Sequence, residues 1–459
     1  MSLSILLFTI LALGAYSFLF ARQRLHILRR TTPDKQHSQN IYHGWFLFSC
    51  IMLPSLGLVI LWLIFSPLLT DFLLENFITS QTAPPTQTLP LALLVAQVKA
   101  HYAGTLSNPT PAIIEASHYY KTLLMNAQLA LTALSLSIAG VGFFYGAKHL
   151  AVRFAARQKV EMILSFLVMV AACIAVLTTL GIILSLVFEA VRFFQQVPLT
   201  EFLFGLQWSP QTAIRTDQIG SSGSFGAVPI FAGTLLITLI AMFVAVPVGL
   251  MSAIYLSEYA RLTTRNIIKP LIEVLAGIPT VVYGFFAALI VAPFLRDSGG
   301  AIGLTLSSES ALAAGLVMGV MIIPFISSLS DDVISAVPQT LRDGAAALGA
   351  TKSETVRQVI LPAAMPGVVS AILLAISRAI GETMIVVMAA GVAANLTANP
   401  FEAVTTVTVQ IVMLLVGDQE FDSAKTLAAF ALGLVLFIMT LVLNIVALYV
   451  VNKYRRHYE

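Results

Sequence analysis

Long apolar runs separated by short polar stretches dominate the chain. A membrane-spanning helix needs about 20 mostly apolar residues. Nine runs approach or exceed that length, near 3–20, 45–67, 126–146, 162–187, 230–254, 271–295, 311–331, 366–391 and 424–451. The pattern predicts an all-α membrane protein with about nine transmembrane helices. The first run is the shortest. Arg22, Arg24, Arg29 and Arg30 follow it, whereas a cleaved signal peptide carries its basic residues first. The run is therefore read as a retained span.

Basic residues alternate with these spans. Every second loop holds a cluster: Arg22, Arg24, Arg29, Arg30 and Lys35; Lys148, Arg153, Arg157 and Lys159; Arg261, Arg265 and Lys269; Arg342, Lys352 and Arg357; Lys453, Arg455 and Arg456. The intervening loops hold Lys99, Lys121, Arg192, Arg215, Arg296 and Lys425, and Arg378 lies inside a span. Because Lys and Arg are retained on the cytoplasmic side, this predicts an external N-terminus and a cytoplasmic C-terminus.

Two parts follow. Residues 1–160 carry three spans and an external loop, 68–125, that is rich in proline: Pro84, Pro85, Pro90, Pro109 and Pro111. Residues 91–103 within it read as a short surface helix. Residues 161–459 carry six spans. A second external segment, 188–229, holds Trp208, read as an interfacial anchor or a partner contact, and a flexible Ser/Gly stretch, 220–226. Pro247, Pro279 and Pro324 fall within spans and are expected to kink them.

Composition agrees with a lipid environment: of 459 residues, 58% are hydrophobic and only 10% charged, against about 25% charged in soluble chains. The net charge of +3 adds little. Cys50 and Cys173 both lie in apolar runs, read as packed thiols that offer neither a disulfide framework nor metal spacing. The histidines form no metal-like cluster. Asp331 and Asp332 close the seventh span and are expected to be solvated.

The cytoplasmic loop at 332–365 stands out. Ala345–Leu348 favours helix, Gly349 can end it, Ser353-Glu354 can start another, and Pro362 would stop that one. Gly344 and Gly349 have the spacing of a phosphate-cradling loop, but the lysine comes three positions late and no strand precedes it. This stretch does not bind ATP.

Asp343-Gly344-Ala345, Gly349 and Val359-x-Leu361-Pro362 resemble the signature of type-1 ABC importer permeases, Glu-Ala-Ala, three residues, Gly, nine residues, Ile-x-Leu-Pro. Asp343, Gly344 and Val359 depart from it mildly. The resemblance implies that Asp343, Gly344, Ala345, Gly349, Leu361 and Pro362 form a coupling element docking on a separate ATPase subunit. Ser377 to Met384 is similar to the Arg-Ala-x-Gly-Glu-Thr sequence of phosphate-specific transport permeases, C-type subunit. The resemblance covers about 160–459, with the six-helix transmembrane domain at about 230–450. It implies no enzyme activity and no cofactor on this chain, ATP and Mg being held by the ATPase. The implied partners are a second permease, an ATPase dimer, a periplasmic phosphate-binding protein, inorganic phosphate and the bilayer, with no nucleic acid.

Arg378 falls near the centre of the eighth run, where a charge is costly unless it faces protein or water. Glu382 follows one turn later on the same helix face. Two readings stand. The pair can line the substrate path, the arginine fork holding a tetrahedral oxyanion and the carboxylate accepting a hydrogen bond from the protonated oxygen that phosphate retains and sulfate lacks. Or it can be a salt bridge that locks the bundle. The rivals at the level of function are a permease for molybdate or sulfate, an ion-gradient-driven transporter, for which no internal repeat is evident, and a membrane scaffold.

Overall fold

The computed structural model describes residues 3–31, 37–81, 90–106, 109–210, 223–301, 303, 307–416 and 423–455. Among them, nine helices are long and apolar enough to cross a membrane: Leu3–Leu28, Asn40–Ser80, Pro111–Lys148, Ala156–Gln196, Val228–Tyr259, Thr280–Ala301, Ala311–Ser335, Lys352–Ile380 and Ala424–Tyr449. The chain divides into two compact units after Val176.

The first unit is a sheaf of α1 (Leu3–Thr31), α2 (Asn40–Gln81), a short α3 (Leu91–Tyr102) and α4 (Pro111–Lys148). Leu6 and Ile10 of α1 pack with Met52 and Val59 of α2 and Leu131 of α4. The expected loop at 68–125 is mostly helix. At 1.5 Å per residue α2 is about 63 Å long, twice the hydrocarbon thickness, so it projects well beyond the bilayer. Leu74, Ile78, Val95, Val98, Ile113 and Ala116 form a small core between α2, α3 and α4, with Phe77 stacked on Tyr119 at 4.0 Å and Lys99 paired with Asp71 at 2.7 Å. Polar residues between these apolar positions lower the local hydropathy without breaking the helical period. The prolines punctuate rather than fill the loop: Pro90 precedes α3 and Pro111 opens α4. Pro84 and Pro85 lie outside the described residues. The short helix expected at 91–103 is α3.

A long helix, α5 (Ala156–Gln196), spans the division between the units. Most of its side chains are exposed, Cys173 among them, and Cys50 is half-buried. The packed-thiol reading of Cys173 is therefore corrected.

The second unit continues with α6 (Leu199–Phe204) and a two-stranded ribbon, β1 (Trp208–Ser209) against β2 (Ser224–Phe225). Trp208 is neither an interfacial anchor nor open to a partner. It is 8% exposed, packs on Phe225 and donates through Nε1 to Gln410 at 2.9 Å. The Ser/Gly stretch falls partly outside the described residues.

The core of this unit is a close pair, α7 (Val228–Ile254) and α11 (Ala311–Ser335). A side chain at Gly315 would reach 2.6 Å from Ile240, and one at Gly319 would reach 2.9 Å from the Ala241 carbonyl. Small residues four apart let the two backbones approach, as is common between helices in lipid.

Between them lie α8 (Leu262–Ala276), α9 (Thr280–Phe286) and α10 (Ala292–Ala301). The expected span at 271–295 is thus broken. Pro279 biases Ile278 away from helix, and Pro279 itself is extended at ψ 137 before α9. It marks a break rather than a kink, whereas Pro247 and Pro324 stay inside helices. Wide π turns at Tyr255–Tyr259, Ala287–Val291 and Val356–Ile360 join neighbouring segments.

The chain closes with α12 (Gln339–Ala347), α13 (Lys352–Thr355), α14 (Leu361–Ile380), α15 (Met384–Ala389), α16 (Val407–Leu415) and α17 (Ala424–Arg455). The segment between α15 and α16 runs over the start of α11. Carbonyls of Ala389, Glu402 and Pro400 accept from Ser310, Ala311 and Leu312 N–H, satisfying donors that a helix start leaves open.

Candidate functional site

Two places in the second unit hold the residues singled out from the sequence. The first is the signature segment at 343–362. Helix α12 ends at Leu348, and Gly349 turns the chain with φ +82, a conformation that favours glycine. Thr351 and Glu354 close a capping box at the start of α13: the Thr351 hydroxyl accepts from Glu354 N–H, and the Glu354 carboxylate accepts from Thr351 N–H at 2.8 Å. The helix–turn–helix expected here is present, but Pro362 does not stop the second helix. The π turn at Val356–Ile360 leads directly into α14, where Pro362 takes a first-turn position that needs no N–H donor. The signature residues separate. Asp343, Gly344 and Gly349 are exposed, Ala345 is buried, and Leu361 and Pro362 are half-buried at the start of α14. Leu348, at the tip, is 91% exposed.

Behind this segment lie groups that sequence reasoning did not connect. Arg342 pairs with Glu258 at 2.8 Å, their side chains 16% and 9% exposed. It also donates to the carbonyls of Ile334, at 2.9 Å, and Val337. Lys352 sits 5.2 Å over the Tyr259 ring. A cavity of about 560 Å³ adjoins them, lined in part by Arg265, Ser335, Gln339 and Ala350.

Asp331 was expected to be solvated. It is 1% exposed, held by Arg265 at 3.0 Å and Lys269 at 2.7 Å, while Asp332 stays 65% exposed with Lys269 at 3.2 Å. The cations come from α8, more than 60 residues away, so nothing local to Asp331 announced the pairing. The bond to Asp331 raises the Lys269 ammonium above its ordinary value of 10.5, against the opposing effect of burial. A raised lysine contributes stability that is fully present below its unfolded value and fades as pH rises through the folded one. Thermal unfolding in detergent should therefore show a constant advantage of wild type over Lys269→Met at neutral pH, shrinking above about pH 10.4.

The second place is the break between α14 and α15. Helix α14 ends at Ile380, with Gly381 closing it. Arg378 is in its last turn, and Glu382 lies beyond the helix. The shared helix face expected for the two residues is corrected, because glycine ended the helix before Glu382. Among the described residues no ion pair joins them. The Glu382 Oε1 accepts from Met384 and Ile385 N–H at 3.0 and 3.4 Å, and the Glu382 carbonyl accepts from Thr408 at 2.9 Å. Arg378 is exposed, its guanidinium 5.8 Å above the Phe325 ring. Phe325 is about 21 Å along α11 from Ala311 and about 15 Å from Ser335. The charge ends its own helix at the middle depth of a neighbouring span.

Known families match both parts of this chain. Residues 245–456 match the family "Binding-protein-dependent transport system inner membrane component". The chain is 34% identical over 292 residues to the probable ABC transporter permease protein YqgH of Bacillus subtilis, covering 62% of this chain and 87% of that one. The chain belongs to the ABC transporter permease family. The permease is also 31% identical over 271 residues to the phosphate transport system permease protein PstC of Mesorhizobium japonicum, covering 55% of this chain and 78% of that one. It is 39% identical over 153 residues to PstC of Haemophilus influenzae, covering 30% and 49%. Residues 7–178, which carried no motif in the sequence, match the family "Phosphate ATP-binding cassette transporter".

Proposed function

We propose that this permease carries inorganic phosphate into the cytoplasm as one of two membrane-spanning subunits of an ATP-driven importer. The observation that carries the reading is Arg378: an exposed guanidinium at mid-depth, with no carboxylate partner among the described residues. Facing lipid, such a charge would be expensive. Facing a water-filled path between two permeases, it offers a planar fork to a tetrahedral oxyanion. Glu382 keeps its second carboxylate oxygen outside the α15 cap, available to accept a hydrogen bond from the P–OH of monohydrogen phosphate. The names of the PstC relatives and of the family matched by residues 7–178 support phosphate as the anion. Molybdate and sulfate are the competing cargoes.

In this reading Asp343, Gly344, Ala345, Gly349, Leu361 and Pro362 belong to the element that couples to an ATPase dimer, which supplies ATP hydrolysis. A periplasmic phosphate-binding protein delivers the anion. The alternation of basic residues supports a bacterial inner-membrane topology with the N-terminus periplasmic and the C-terminus cytoplasmic.

The test is uptake of radiolabelled phosphate by cells lacking the gene and complemented with it, partner subunits present. Restored uptake that resists excess unlabelled sulfate and molybdate is expected. Competition by either anion would overturn selectivity for phosphate, and no phosphate uptake from a well-expressed protein would discard it as the cargo.

A further inference from the structure

We propose that the Glu258–Arg342 ion pair is the link through which movement of α12 reaches the spanning helix α7. The inference rests on the reading of the 343–362 segment as the ATPase-coupling element.

Arg342 is the point where three elements meet. Its Nη2 and Nε lie 2.8 and 3.2 Å from the Glu258 Oε1. Glu258 belongs to the π turn that continues α7. Nη2 also donates to the Ile334 carbonyl at 2.9 Å, and Nη1 to that of Val337. Ile334 lies in the last turn of α11, and Val337 lies just beyond that helix. One side chain therefore fastens α12 to the inner ends of both core helices. Only a guanidinium can serve all of these acceptors at once, since an ammonium lacks the planar fork.

Packing does not duplicate the link. Much of α12 is exposed, and Ala345 is its one buried residue. The adjoining cavity of about 560 Å³ is lined by Gln339, Arg342, Asp343 and Ala346 of α12 itself. A helix with open space on one side can be displaced without pushing its neighbours. The chain itself ties α12 to α11 through residues 336–338, so transmission to α7 depends on side-chain contacts, of which the largely buried, charge-assisted pair is the strongest. The Lys352–Tyr259 contact joins the same two segments at 5.2 Å and is weaker. Because α7 and α11 are packed backbone to backbone through Gly315 and Gly319, displacement of their inner ends moves them as a pair.

The experiment uses the complete complex, with ATPase and second permease, in proteoliposomes. Spin labels at Ala347 of α12 and Val248 of α7 report their separation with and without vanadate-trapped nucleotide, whatever the cargo. In the wild-type background the separation should hold within about 1 Å, and with Glu258→Gln or Arg342→Lys it should change by several ångströms, the size of ordinary helix shifts. Phosphate imported per ATP hydrolysed should fall about tenfold in both variants, the factor that about 1.4 kcal/mol supplies. A purely structural defect would lower uptake and hydrolysis in parallel. An unchanged separation in both variants, or a parallel fall, would overturn the link. Leu348→Asp separates the two ideas. If it leaves the ATPase bound at full stoichiometry, the coupling assignment fails and the link with it. If it strips the ATPase while Glu258→Gln changes neither separation nor yield, the link alone fails.

Discussion

Arg378→Ala is expected to abolish phosphate uptake while leaving the permease folded and assembled. A bidentate arginine–phosphate contact contains two charge-assisted hydrogen bonds, each worth about 1.5–3 kcal/mol. Losing both corresponds to a fall of about 100-fold or more in transport at limiting phosphate. The fold should tolerate the change. Arg378 is exposed in the last turn of α14, and its one described side-chain contact is the face of Phe325, so alanine leaves no cavity and no buried partner. Arg378→Lys separates charge from geometry. It keeps the cation but not the fork, and uptake should settle between the two, about tenfold below wild type by the loss of one such bond. The measurements are initial uptake rates against phosphate concentration, with ATPase co-purification as the control. Wild-type rates in Arg378→Ala would remove the residue from the path.

The contrast between Arg378 and Glu382 shows what could be read ahead of the structure. The cost of a charge inside an apolar run singled out Arg378 from composition alone. The shared helix face did not survive, and the reason was present in the chain: Gly381 ends α14. The same holds for the sixth span, where Ile278-Pro279 divides an amphipathic α8 from α9 although the apolar run continues across the break. Run length detects that a segment enters the membrane, while glycine and proline decide where its helix is interrupted. Residues 68–125 erred in the opposite direction, because averaged hydropathy falls outside the bilayer even when positions 74 and 78 of α2, and 95 and 98 of α3, keep the spacing of a packed face.

Pairings across the fold were not legible. Glu258 and Arg342 are 84 positions apart and Arg265 and Asp331 are 66 apart. Each lies in a polar stretch between spans, where charges are usually solvated. Their burial follows from how α7, α8, α11 and α12 converge at one end of the spans, a property of packing rather than of any one segment. Trp208 is similar: its indole partner, Gln410, lies 202 positions further on.

Leu348→Asp should detach the ATPase. In the proposed coupling segment the sequence pointed to the signature residues, but its most exposed large apolar side chain is Leu348, 91% exposed at the C-terminal tip of α12, on the turn set by Gly349. An apolar residue held out into water on a capped, glycine-defined turn is costly unless a partner's pocket covers it. Buried anchors of this kind dominate interface energetics, with losses of about 2–4 kcal/mol on truncation, and an aspartate adds the cost of an unpaired charge in an apolar pocket. The expected outcome is loss of ATPase co-purification by about 100-fold or more in apparent affinity, with normal insertion of the permease, since Leu348 packs on nothing within it. Leu348→Ala should give a weaker version, recoverable at high ATPase concentration. Asp343→Ala should matter less, because its carboxylate is exposed and bonded to Gln339 at 3.1 Å. Equal retention of the ATPase by Leu348→Asp and wild type would place the docking surface elsewhere.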